Sequence, residues 1–108
     1  MTARLPTGLL VSAMLRRAND AGGSGMVLAK GDPTGGAILA VVAEPGGPER
    51  LVERRLDLDG RAALIDATPA DDLAGYWRRR RARDPDLWVI ELTVPGAERL
   101  VAETIAAN

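Results

Sequence analysis

The chain has 108 residues, of which 46% are hydrophobic and 27% charged, and its formal net charge is -1. This composition fits one globular domain over residues 1–108, and the near-zero charge supplies no overall field to recruit nucleic acid or a membrane surface. With no cysteine and no histidine, disulfides, thiolate nucleophiles, imidazole acid–base chemistry and the usual zinc ligands are excluded.

Val11, Met14, Leu15 and Ala18 fall at i, i+3, i+4 and i+7, which predicts an amphipathic helix over residues 8–21. Thr7 is placed to cap it, and Gly22 and Gly23 to stop it. The apolar stretch 9–15 is too short for a membrane span, and its arginines follow rather than precede it, unlike a signal peptide. Residues 26–29 read as a short strand. Gly31-Asp32-Pro33-Thr34-Gly35-Gly36 is a turn, and residues 37–43 are apolar throughout, as in a strand buried on both faces.

After the turn at Pro45-Gly46-Gly47-Pro48, residues 51–58 alternate. Val52, Leu56 and Leu58 share one face and Glu53, Arg55 and Asp57 the other, the pattern of a half-exposed antiparallel strand. Asp59-Gly60 signals a two-residue hairpin, with residues 61–67 as the returning strand. Thr68 is placed to cap a second helix, with Pro69 at its first position and Asp71 three beyond the cap. That helix runs to Arg83, carries Leu73, Tyr76 and Trp77 on one stripe, and ends because Pro85 pushes Asp84 out of helical conformation. Residues 87–94 are apolar at both parities and form a central strand. Residues 97–107 have helical composition, but 99–101 could equally extend a hairpin. The expected fold is α+β: a largely antiparallel sheet of four to five strands, an N-terminal helix, and a second helix before the last main strand.

Three stretches carry a resemblance. Leu9 to Arg17, Gly31-Asp32-Pro33 through Gly36-Ala37-Ile38, and Asp84-Pro85-Asp86-Leu87-Trp88-Val89-Ile90-Glu91 resemble, in order and spacing, a small alphaproteobacterial family, domain-of-unknown-function family 1491. The resemblance covers essentially the whole chain, and the last stretch is the most specific. It implies a compact bacterial domain and no assigned activity, catalytic residue or cofactor. It directs attention to Arg16, Asp32, Asp84, Asp86, Trp88 and Glu91. At Arg80 and Arg83, where the family pattern leads one to expect glutamine and an aromatic residue, this chain departs from it.

The candidate sites each have a plainer reading. Arg78, Arg79, Arg80, Arg81 and Arg83 could contact an anion or nucleic acid, with Tyr76 and Trp77 stacking on bases. Yet successive helical residues point about 100° apart, arginine suits a helix C-terminus, and Arg80 shares the face of Leu73 and Trp77. Asp84, Asp86 and Glu91 invite a carboxylate-pair reading, but aspartates flanking a proline also serve turns. The stretch Asp57 to Asp66 puts Arg55 at the first position of a calcium loop, which needs an oxygen donor. Gly22 to Gly25 lacks the lysine-serine or lysine-threonine ending of a phosphate loop. Trp77 and Trp88 are core residues, each contributing roughly 3–5 kcal/mol, or hot spots if exposed.

The sequence therefore favours a non-enzymatic, cytoplasmic domain acting through self-association or a protein partner, with no metal, cofactor or membrane. One alternative is nucleic-acid or anion binding through Arg78, Arg79 and Arg81. Another is a carboxylate/arginine enzyme for a small anionic molecule, gathering Asp32, Asp84 or Glu91 with Arg16 or Arg17.

Overall fold

The computed structural model describes residues 5–106. In chain order the elements are α1 (Thr7–Asp20), β1 (Ser24–Ala29), β2 (Ile38–Ala43), β3 (Arg50–Leu56), β4 (Ala62–Asp66), α2 (Leu73–Arg83), β5 (Trp88–Thr93), α3 (Ala97–Val101) and a π-helical turn (Ala102–Ala106). The five strands form one sheet in the order β1-β5-β2-β3-β4. Only the β2–β5 pair is parallel, and the other three neighbours are antiparallel. The fold is α+β, with the N-terminal helix and the helix before the last strand where the sequence places them.

Strand alternation divides the core in two. Ile38, Ala40, Val42, Val52, Trp88, Ile90 and Leu92 face α1, α3 and Ile105 of the π-turn. Leu39, Val41, Leu51, Leu87 and Val89 face the other way, against Leu73, Tyr76 and Trp77 of α2. Helices on both faces require β2 and β5 to be apolar at both parities, which is what their sequences are.

Several local expectations are corrected, each by a tertiary partner. Thr7 does not cap α1. Pro6 holds that position, and the Thr7 hydroxyl instead donates to the Gly36 carbonyl at 2.8 Å. Thr68 does not cap α2, because its hydroxyl accepts the Leu51 N–H at 2.8 Å. Asp72, in the left-handed region at φ 47°, takes the role and accepts the Gly75 N–H at 3.0 Å. In β3 the half-exposed alternation does not hold: Leu51, Val52 and Glu53 are buried on both faces, whereas Arg55, Leu56, Asp57 and Leu58 are all exposed. The hairpin turn has three residues, since Asp57 N–H donates to the Arg61 carbonyl at 2.8 Å and Gly60 takes φ 82°. Residues 97–101 are helical and continue into the π-turn, while Ala107, the end of that stretch, lies outside the described residues.

Thr68 also sets a pH dependence. Its hydroxyl and its N–H both donate to the Asp66 carboxylate, the second at 2.9 Å. These two bonds outweigh an opposing effect of desolvation and, with a lesser contribution from the charge of Arg50 at 3.4 Å, hold Asp66 below the usual carboxylate range. A carboxyl with a depressed folded pKa contributes stability that is present above its unfolded pKa and lost as pH falls through the folded one. Asp66→Asn is expected to be less stable than the native chain near neutrality and to converge with it in strong acid. Urea unfolding at the two extremes checks this, and a stability gap indifferent to pH would contradict it.

Candidate binding groove

Of the residues singled out by the family resemblance, Asp32, Asp84, Asp86 and Trp88 come together, but around backbone. Gly31 and Gly36 lie against the Asp86 carbonyl so closely that a Cβ at either would sit 2.2 or 2.0 Å from its oxygen. Asp32 N–H donates to that same carbonyl at 3.0 Å. The Trp88 indole N–H donates to the Asp32 carbonyl at 2.7 Å, and the helix joins in through Gly8 N–H to the Pro33 carbonyl at 2.9 Å. The carboxylates serve their own turns: Asp32 accepts Gly35 N–H at 3.1 Å, and Asp84 accepts Asp86 N–H at 3.1 Å. Trp88 is buried. The three stretches thus form a clasp that seats the loop before β2 against the chain entering β5.

The remaining sequence candidates are dispersed. Arg16 is exposed on α1, and Glu91 is half-buried in β5 opposite Met26. Among the described residues, neither makes a hydrogen bond or ion pair with Asp32, Asp84 or Asp86. Arg17 pairs with Glu103. The geometry therefore does not bring Asp32, Asp84 or Glu91 to Arg16 or Arg17.

The arginines of α2 are divided among separate partners. Arg78 lies 5.3 Å over the Trp77 ring, Arg79 is 3.8 Å from Asp72, and Arg81 donates to the Lys30 carbonyl at 2.8 Å. Arg80 turns inward, to Glu53 at 2.8 Å and the Tyr76 hydroxyl at 3.4 Å. Partial burial pulls the Arg80 pKa down, but hydrogen bonds to Tyr76 and Glu53, with the Glu53 charge, outweigh it and leave the pKa raised. Arg55 holds the other Glu53 oxygen at 3.1 Å. This cluster bolts α2 to β3.

A further depression lies elsewhere. The β2–β3 pairing begins at Leu39 opposite Glu53. Beyond it, residues 54–56 remain paired only with β4, and the loop 34–37 diverges from them. A groove of about 380 Å³ opens in this gap. Leu10 and Ile105 contribute from the helices, Ile38 from the sheet, and Leu5 and Leu56 from the exposed rim. Arg54 lines it with a buried Nε that has no hydrogen-bond partner. Sequence reasoning passed over Arg54 and took Glu53 as exposed. The signal for Arg54 was present: it shares the parity of Val52 and Leu56 and puts a charge into an apolar stripe. Glu53 gave no such signal, because its partner Arg80 is 27 residues away.

Comparison with known proteins places this architecture. The family model described as "Protein of unknown function (DUF1491)" matches residues 5–102. A crystal structure of a DUF1491 family protein from Caulobacter crescentus CB15 is similar with a TM-score of 0.78 and 31% identity, covering 90% of this chain and 94% of that one. An NMR structure of a DUF1491 family protein from the same organism gives 0.75 and 31%, covering 92% and 94%. The solution structure of protein Atu0922 from A. tumefaciens gives 0.67 and 29%, covering 85% and 87%. No curated protein matches the chain.

Proposed function

The chain belongs to the DUF1491 family, proteins of unknown function, and from that premise we propose that it acts by association rather than catalysis, pairing edge strand β1 with β1 of a second copy. The carrying observation is the character of that edge. β1 ends the sheet, none of its six residues is buried, and its sequence, Ser-Gly-Met-Val-Leu-Ala, has no charge and no proline. Met26 is 53% and Val27 40% exposed. Lone edges are ordinarily protected by charges, proline or cover, and β1 has none of the first two. The opposite edge, β4, ends in Asp66 and follows Arg61. Antiparallel pairing of β1 with itself would give a twofold, self-complementary interface and continue the sheet across two copies.

The absence of histidine and cysteine from the sequence supports a non-enzymatic role, and a cysteine-free chain suits the reducing cytoplasm, where we place this association. No helix among the described residues is long and apolar enough to cross a membrane. Nucleic-acid binding through Arg78, Arg79 and Arg81 has less support, since the latter two have partners within the chain.

Light scattering after size exclusion, over a concentration series, is expected to give about twice the 11.4 kDa chain mass, in a dimer that survives moderate salt. Met26→Lys introduces an edge charge at an exposed position and is expected to weaken dimerisation about tenfold or more without unfolding the protein. A native chain monomeric throughout, or a lysine variant that associates equally well, would overturn the assignment to β1.

A further inference from the structure

We propose that the groove between loop 34–37 and strand β3 binds a small apolar monocarboxylate, with its carboxylate on the Arg54 guanidinium. This site is separate from β1, which contributes none of its lining, and does not depend on the association reading.

The argument begins with the state of Arg54. The other charged side chains that line the groove are matched to each other or to α2: the Glu53 carboxylate is held by Arg55 and Arg80. Arg54 alone of the charged groove residues has no ion pair or hydrogen bond among the described residues, and its Nε is cut off from solvent. A guanidinium always carries its charge and offers five donors in a planar fork. A buried donor with no acceptor is costly, so an arriving carboxylate, which the fork matches in a bidentate manner, gains more here than on open surface.

The rest of the groove selects the body of the ligand. Leu5, Leu10, Ile38, Leu56 and Ile105 make walls that favour an apolar chain or ring. Thr34, Gly35 and Gly36 give no competing charge. The amides of Gly35 and Gly36 are already donated to Asp32, which leaves Arg54 as the group that recognises the anion. The volume, about 380 Å³, lies in the range of small-molecule sites. A single unpaired cation implies a single negative charge on the ligand.

Octanoate is the probe. Titrated into the isotopically labelled full chain, it is expected to move the backbone amide resonances of residues 34–37, 54–56 and 105 saturably, and to bind about tenfold or more tightly than 1-octanol, the advantage of a charge-assisted hydrogen bond. That comparison needs no variant. Arg54→Met keeps the stem and removes the charge, and is expected to lose about the same factor for octanoate while leaving octanol unchanged. Equal binding of octanol and octanoate would overturn the proposal. So would shifts that fail to saturate or that map elsewhere, or a folded Arg54→Met that binds octanoate as well as the native chain.

Discussion

Arg80→Met should lower stability by about 3 kcal/mol and the melting temperature by roughly 10–20 °C, more than Glu53→Met at the other end of the same ion pair. The asymmetry follows from burial. The Glu53 side chain is 8% exposed and that of Arg80 31%. Removing the arginine strands a buried carboxylate whose remaining partner, Arg55, is 63% exposed and therefore weakened by water. That residual partner puts the loss at the low end for a broken buried pair. Removing the glutamate leaves Arg80 free to extend into solvent, at about 1–2 kcal/mol. The double variant has no stranded carboxylate, so its loss should fall well short of the sum of the two single losses. Urea unfolding of the native chain, both single variants and the double variant closes the cycle. An Arg80→Met loss no greater than that of Glu53→Met would show that Glu53 is not the buried partner the geometry makes it.

The same pair shows where reading the sequence stops. Periodicity found what depends on near neighbours: the stripe of α1, the doubly apolar β2 and β5, and the burial of Trp88. The helical spacing from Leu73 and Trp77 also placed Arg80 on the core-facing side of α2. What periodicity could not supply was Glu53 as its acceptor, since alternation along β3 assigns Glu53 to the solvent side unless a cation arrives from elsewhere in the chain. Thr68 failed for a similar reason. Its local context is that of a helix cap, but the Leu51 N–H, 17 residues away, takes its hydroxyl, and the helix starts later at Asp72. The parallel pairing of β2 with β5 brings together residues about 50 positions apart through β3, β4 and α2, and nothing local encodes it. Arg54 differs from these cases. Its interruption of the Val52 and Leu56 stripe was legible, but the groove between loop 34–37 and β3 that it lines is a tertiary feature.

Gly36→Ala should cost about 3 kcal/mol or more, whereas Gly35→Ala, one residue earlier, should stay within about 0.5 kcal/mol of the native chain. The two glycines differ in what a methyl group would meet. At Gly35 the nearest atom is 4.0 Å away, the far end of the Asp32 side chain. At Gly36 the methyl carbon would lie 2.0 Å from the Asp86 carbonyl oxygen and 3.1 Å from that of Asp32. Both are backbone atoms, and neither can swing aside. The Asp86 carbonyl is held by Asp32 N–H, the Asp32 carbonyl by the Trp88 indole at 2.7 Å, and Gly36 itself by the Thr7 hydroxyl. Relief therefore requires the whole clasp to open, which removes the acceptor of the buried indole N–H and exposes Trp88. The Gly36→Ala protein is accordingly expected to show a red-shifted tryptophan emission and faster hydrogen exchange at Asp32 and Trp88, as well as the lower melting temperature. If Gly35→Ala and Gly36→Ala proved equally mild, close backbone approach could not be what makes glycine necessary there. If only Gly36→Ala is damaging, the stretches by which this chain resembles its family are explained by contact: glycine where two backbones touch, aspartate where a turn needs an acceptor, and tryptophan where a buried carbonyl needs a donor.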